Sequence, residues 1–315
     1  MALGELSAIT EKLFIPRLVD NVLNSNILLV FLARKATKLD GGTSIAQPVI
    51  LAVNNSAASF SGADLMATDT NTNFDGAEFN WAQYYVTISI NGLDAIKNSG
   101  RAAVVNLLKS RIQLAEASLR QTMGNHLQLD GTGSGGKDLL GLAAAVDDGT
   151  NVGTYGGLSR TTYTNWKSQY SANGGVARAL TLALMDTVFG NCTKDNDRPN
   201  LIVTSHLAYN AYMSILQPYY RNTGDASLAS SGFSNVLYQG RPVVVDEQVP
   251  TSANHKMWFL NTRYLELYVH ADTNFKFVPF IQLARQDQAI AKVLWAGQLV
   301  CSSPRMQGQL RDLTP

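Results

Sequence analysis

Apolar side chains recur at three- and four-residue steps between residues 93 and 129. Val104, Leu108, Ile112, Leu119, Met123 and Leu127 form one stripe, with Lys109, Arg111 and Arg120 at its flanks. That period predicts an amphipathic helix, long for a globular domain. "DGTGSGG" at 130–136 ends it. Upstream the pattern changes: "TSIAQPVI" at 43–50 and "WAQYYVTISI" at 81–90 are rich in β-branched and aromatic residues and predict strands. The stretch between them is polar, so the simplest reading of 41–92 is one long hairpin that pairs these two segments around an irregular tip. An isolated hairpin is marginal in water, and this one is expected to lie on a partner. Residues 1–40 predict a helix-prone arm, broken at Pro16, with the apolar run "ILLVFLA" at 27–33 followed by Arg34, Lys35 and Lys38.

The second half reads as an α/β lobe over 159–261. "RALTLALMDTVFG" is amphipathic at helical period, "RPNLIVTS" predicts a short buried strand, and Ser205 is placed to cap the helix "HLAYNAYMSIL". In "VLYQGRPVVVDEQVP", 236–250, a glycine turn precedes three valines bracketed by Pro242 and Pro250, which fits either the floor of an active site with Asp246 or Glu247 as the acid or a structural hairpin whose strand is stopped at both ends. "MWFLN" predicts a further strand. Residues 262–315 are mostly extended, through "YLELYV", "FKFVPF" and "QAIAKVLWAGQLV". The whole is an α+β chain without repeats or low-complexity linkers.

Composition alters this picture in one respect. Charged residues make up 16% of the 315 residues and hydrophobic ones 45%. A monomer of this size normally covers itself with more charge, so much of the surface is expected to be buried against other copies. The net charge of +1 provides no global field for nucleic acid or membrane. Cys192 and Cys301 form no CxxC pair and read as reduced, buried thiols. The longest apolar run is too short to span a bilayer, and the N-terminus lacks the apolar core of a secretory signal. From Leu39 to Ile96 there is no Lys or Arg, whereas Asp64, Asp69, Asp75 and Glu78 are present.

Candidate chemistry is sparse. "GTGSGGKD" at 131–138 matches the glycine and lysine spacing of a phosphate-binding loop, but Asp138 replaces the magnesium-binding Ser/Thr, and the segment follows a helix instead of a strand. His126, His206, His255 and His270 show no metal-ligand spacing. Asp246 and Glu247, adjacent on an extended segment, point to opposite faces and are poorly placed to share a proton. Trp81, Tyr84 and Tyr85 offer base-stacking surfaces but no accompanying cations, so strand packing is the simpler role. No catalytic, cofactor or metal residue is assigned.

The order of elements is informative: basic arm, long hairpin, spine-like helix, glycine-rich break, α/β lobe, extended return. With "KDLLGL" at 137–142, "RPNLIVTSHLAYNAY" at 198–212 and "LYQGRPVVVDEQVP" at 237–250, it resembles the major capsid protein of tailed bacteriophages, the Johnson or Hong Kong 97-like fold. The resemblance implies an N-terminal arm (1–40), an extended loop (41–92), a peripheral domain (93–158 and 262–315) with the spine helix, and an axial domain (159–261). It implies pentamers and hexamers in an icosahedral virion shell around double-stranded DNA, assembled in the bacterial cytoplasm, with portal and decoration proteins as further partners. The extended loop has no lysine, so covalent crosslinking through it is not expected. The 40 residues before it are too few for a folded scaffold, so a separate scaffolding protein or none is expected.

The acidic loop residues Asp64, Asp69, Asp75 and Glu78 are expected to meet a basic surface of a neighbouring subunit, with Lys97, Arg101, Lys109 and Arg111 as candidates and Arg305 and Arg311 beside them. Gly41, Gly42 and Gly92 are candidate hinges at the loop base. Arg34, Lys35 and Lys38 are candidates for weak, non-specific DNA contact. An encapsulin-like nanocompartment shell is the nearest alternative. A phosphate-loop hydrolase built on Lys137 and a monomeric binding module are the others.

Overall fold

A computed structural model describes residues 27–52, 54, 56–66, 73–92, 101–220, 236–251, 255–282 and 287–314. Helix α1 (Ile27–Arg34) opens this part and buries Leu28, Leu29 and Leu32. Strand β1 (Thr37–Leu39) follows, then β2 (Ile45–Ile50), β3 (Phe74–Phe79) and β4 (Ala82–Asn91). The spine helix α2 spans Arg101–Gln128, close to its predicted extent, and Ile112, Ala115, Leu119, Met123 and Leu127 bury one stripe of it.

Two sheets carry the rest. In the first, β15 (Gln288–Cys301) is central: β4 runs along one edge, and β14 (Lys276–Gln282) and β13 (Leu265–His270) share the other, with β1 outside β13. Gly297 is required here, because a Cβ would strike the Tyr268 carbonyl and the Trp295 ring. The second sheet runs β10 (Leu237–Tyr238), β11 (Arg241–Val245), β9 (Leu201–Thr204), β12 (His255–Leu260), β16 (Gly308–Thr314) and β7 (Gln169–Ser171), and β8 (Arg178–Ala179) also pairs with β16. The expected hairpin at 236–250 is β10–β11, turning at Gln239–Gly240.

The second sheet shows why its strands read as continuous apolar runs. On β9, Ile202 faces a small core with Met185, Val188 and Phe189 of helix α3 (Leu182–Asn191) and Tyr212 of helix α4 (His206–Tyr220). Leu201 and Val203 face the main core, which they share with Trp258, Trp295 and the spine stripe. A strand covered on both faces needs apolar residues at every position. The α4 cap is loose: the Ala208 N–H reaches Ser205 Oγ at 3.5 Å. Both cysteines are buried and free. Burial pushes the Cys192 thiol far above its ordinary range and the Cys301 thiol up to about 12, so neither is a ready nucleophile. No described helix is long and apolar enough to cross a membrane.

Two expectations are corrected. The pattern paired 43–50 with 81–90, but β2 pairs with β3, from Ile45↔Phe79 to Ile50↔Phe74, while β4 leaves the hairpin and pairs with β15 along its whole length. The cause is burial: Ala82, Tyr84 and Ile88 of β4 belong to the main core, which a projecting hairpin does not supply. "FDGAEF" read as polar tip, yet Ala77 and Phe79 alternate inward as a strand requires. The 262–315 segment also divides, because β16 crosses into the second sheet between β12 and β7.

Candidate assembly interface

The β2–β3 hairpin is fixed at its root by its own chain. Its inner face buries Ile45, Val49, Ala77 and Phe79. Phe79 meets Tyr155 edge to face at 5.0 Å. Tyr155 lies on a minimal hairpin, β5 (Thr154–Tyr155) and β6 (Leu158–Ser159). Gly156, at φ +59°, lies under Phe79, and any Cβ there would collide with the ring. The Glu78 N–H donates to Gly156 O at 2.9 Å, and Asn165 Nδ2 donates to Leu51 O at 3.1 Å. The expectation that the whole hairpin needs a partner is therefore corrected for this inner face, which is covered within the chain.

Beneath the root is a rigid brace. Arg160 is fully buried, and its guanidinium donates to the carbonyls of Ala144, Ala145, Val152 and Trp166 while lying 5.2 Å from the Tyr155 ring centroid. Burial lowers its pKa, with the Asp147 carboxylate opposing that shift. Asp147 accepts the N–H groups of Gly149, Asn151 and Val152. The hairpin thus projects from a base with little freedom.

The outer face and tip are different. The cross-strand pair Ile50 and Phe74 is exposed, Phe74 by 74%. Phe60 and Met66 are exposed as well, and Leu65 stands wholly in solvent at 101%. Five large apolar side chains left in water on one projecting loop mark an interaction surface. Sequence reading missed them because Phe60, the Leu65–Met66 pair and Phe74 lie among polar and small residues and make no period, while Ile50 is the last residue of a predicted strand. The available signal was their presence in a stretch with no core of its own.

The acidic residues are less free than their count suggested. The Asp64 carboxylate accepts the Ser61 N–H at 2.9 Å, closing its own turn. Asp75 accepts the Gly76 N–H at 2.8 Å and faces Tyr163 OH at 3.4 Å. Glu78 is exposed on the outer face. Arg111 donates to Ser89 O of β4, Arg311 to Tyr170 OH and Asp312, and Arg305 to Asn165. Asp69 and Lys97 lie outside the described residues, as do the side chains of Arg101 and Lys109. Gly41 and Gly42 have φ of +145° and +118°, which only glycine adopts readily, and Gly42 O accepts the Trp81 indole N–H at 3.0 Å. The Gly92 N–H donates to Asp287 O at 2.9 Å.

The other motifs find structural employment. The 131–138 loop leaves a helix end, where Asp130 accepts from Thr132 and Asp138 lies 3.4 Å from His126 Nδ1. His126 also meets Tyr84 OH at 2.8 Å, and burial raises the Tyr84 pKa to about 12. His255 meets Ser205, and His270 packs on Trp81. Among the described residues no three His, Cys, Asp or Glu side chains gather as a metal site. Tyr84 is buried and Tyr85 exposed on the opposite face of β4, so with Trp81 they form no stacking platform. Asp246 is buried and Glu247 exposed. Arg34, Lys35 and Lys38 are all exposed beside α1.

No protein-family model matches the chain, and no curated protein sequence matches it. Solved structures do. The capsid asymmetric unit of cyanophage A-1(L) superposes with a TM-score of 0.63 at 20% identity, covering 93% of this chain and 95% of that one. The capsid of a native GTA particle gives 0.62 at 13% identity, covering 90% of each chain. The holo-SrpI encapsulin complex of Synechococcus elongatus PCC 7942 gives 0.58 at 13% identity, covering 90% of this chain and 87% of that one. Near-complete coverage of both partners excludes a match confined to one lobe, and the chain has the Hong Kong 97-like α+β fold that these shell proteins share.

Proposed function

We propose that this chain is the major capsid protein of a tailed bacteriophage, assembling into pentamers and hexamers of an icosahedral shell around double-stranded DNA. The observation that carries the reading is the solvated apolar tip (Ile50, Phe60, Leu65, Met66 and Phe74) on a hairpin whose root is locked by its own chain. Such a tip contributes nothing to the stability of a lone subunit. It contributes when a second copy covers it. The fold likeness to capsid subunits supports the same reading.

In this reading α1 and the residues before it are the arm, the β2–β3 hairpin is the extended loop, and the β15 sheet with α2 is the peripheral domain. The second sheet with α3 and α4 is the axial domain, completed by β16. Gly41 and Gly42 let the connection between β1 and β2 bend as the shell matures, while the hairpin root itself stays locked. The loop grips mainly through apolar burial, and Glu78 with Asp69 adds attraction to Arg101, Lys109 and Lys97 of a neighbour. Arg34, Lys35 and Lys38 touch packaged DNA weakly and without sequence preference. Assembly takes place in the host cytoplasm, with a portal and any scaffold or decoration proteins as separate chains.

Purified protein, examined by sedimentation velocity and electron microscopy with its natural assembly partners present, forms closed particles. Persistent monomer under those conditions refutes the proposal. The encapsulin likeness supports a second reading, a nanocompartment shell. Particle content separates the two: DNA for the phage head, an enzyme for the compartment.

A further inference from the structure

The sheet built around β15 has one face packed on the core and one face open. Tyr84 and Ile88 of β4 and Val293 and Trp295 of β15 turn inward, toward the spine stripe. An antiparallel sheet that meets water carries polar residues on its outer row. Here the outer row is largely apolar. The register places Leu294 between Tyr85 and Lys276, Lys292 between Thr87 and Val278, and Ile290 between Ser89 and Ile281. Paired residues of adjacent strands point to the same side, so Tyr85, Val278, Ile281, Ile290 and Leu294 share one surface. Tyr85 is 71% exposed and Ile281 61%, and the other three are half-buried. The patch stops at Ala296, which is buried.

Charge on this face has one sign. Lys276 and Lys292 stand exposed within it, and β4, β14 and β15 contain no Asp or Glu. Among the described residues no carboxylate lies within ion-pair distance of either ammonium. Glu266, on the same side of β13, lies opposite Val300 at the far end of β15 and accepts from Tyr268 OH at 2.9 Å. Strand addition at the free edge of β14 is disfavoured, since Pro279 has no N–H and the ladder slips between Val278 and Ile281. The face itself is left for docking: apolar, cationic and without a counter-charge of its own.

We propose, on the reading that the loop tip is a contact between copies, that this face receives the tip of a second copy of the chain. Leu65 and Met66 go onto the apolar row, with Asp64 toward the lysines. Both halves of the match are present in one molecule and neither covers the other, since Leu65 is 101% exposed and Tyr85 71%. The charges are complementary: the chain from Leu39 to Ile96 has no Lys or Arg, and Asp64 adjoins Leu65. Size agrees as well. Three strands about 4.8 Å apart and four residue steps of about 3.3 Å give a surface about 10 Å by 13 Å, room for two large side chains but not for a whole hairpin. The face therefore takes the tip and not the shaft that carries Glu78. Because tip and face are different surfaces, the contact is heterologous. Each subunit gives one tip and accepts another, which closes a ring where the rotation allows.

Thiol crosslinking of assembled particles tests the pairing. Native Cys192 and Cys301 are buried, so cysteines placed at exposed positions react alone with a short bis-maleimide. Leu65→Cys with Tyr85→Cys, and Leu65→Cys with Ile281→Cys, should join subunits into dimers and longer ladders in particles. Leu65→Cys alone should not, nor should Leu65→Cys with Leu237→Cys, whose second site is exposed on the other sheet. Should the cysteine variants fail to assemble, Lys276→Glu with Lys292→Glu takes their place. It should raise the concentration needed for assembly several-fold, less so at high salt, with thermal unfolding unchanged. Lys276→Arg with Lys292→Arg should assemble as wild type. Particles in which neither pair crosslinks, equal crosslinking in the Leu237 control, or a charge-reversed chain with the wild-type threshold overturns the inference and leaves the shell reading standing. Wild-type subunits that form no particles refute both.

Discussion

Replacing Leu65 and Met66 by serine should abolish shell formation without unfolding the subunit. Leu65 is fully exposed and Met66 63% exposed in the lone chain, so both lose their apolar surface to solvent only if a neighbour covers them. Fully burying a Leu or Met side chain is worth about 1.5–3 kcal/mol, so the pair accounts for about 3–6 kcal/mol of each loop contact. At 1.4 kcal/mol per tenfold, that is roughly a hundred- to ten-thousand-fold in the association constant of one contact. The effect compounds, because every subunit of a closed shell makes the contact. Folding stability should stay within about 0.5 kcal/mol of wild type, as is usual for exposed positions away from special features. Sedimentation velocity gives the assembled fraction against concentration, and thermal unfolding gives the subunit control. Shells that form at the wild-type threshold would refute the reasoning, because the tip would then be idle.

Other perturbations separate the root from the tip. Phe79→Ala empties a buried site against Tyr155 and should cost about 3–5 kcal/mol of folding stability, read as a lower denaturation midpoint. The Asp312 carboxylate is pushed up by burial, but the N–H groups of Asn173 and Gly175 and the Arg311 guanidinium outweigh this and hold its pKa below the usual range. Asp312→Asn should therefore destabilise the fold by roughly 1–3 kcal/mol near neutrality, and the difference should vanish as pH falls through the lowered value, measured by denaturant titration across pH. Gly41→Val with Gly42→Val should block expansion of assembled particles, since both positions hold positive φ; particles that still expand, by microscopy, exclude a hinge there. Arg101→Glu with Lys109→Glu should impair assembly most at low salt, where light scattering should show the defect shrinking as salt screens the contact.

Much of the fold was legible because its signals are local. The α2 stripe, the α3 and α4 periods, and the strands at 201–204, 255–260 and 288–301 each carry their own pattern. The β2 pairing was not legible, because both "FDGAEF" and "WAQYYVTISI" are strand-like and only the tertiary core decides which stays in the hairpin. Likewise "GQLRDLT" reads as extended, but its place between β12 and β7 depends on Gly308 passing under Cys192, a contact between distant segments. In the loop at 41–92, charge counting drew attention to the acidic residues and passed over the exposed apolar ones. Asp64 closes its own turn and Asp75, on β3, accepts from Gly76 and Tyr163, and Leu65, Phe60 and Phe74 are what the loop presents. Isolated apolar residues in a polar stretch leave no periodic trace, so only their exposure distinguishes them from core.

Electron cryomicroscopy of the assembled material tests the central claim most directly, since it reads closure of the particle and the neighbours of residues 50–74 together. The account predicts closed icosahedral particles in which Phe60, Leu65, Met66 and Phe74 are covered by an adjacent subunit. Open or absent assemblies, or particles in which those side chains remain in solvent or fold back on their own chain, would contradict it.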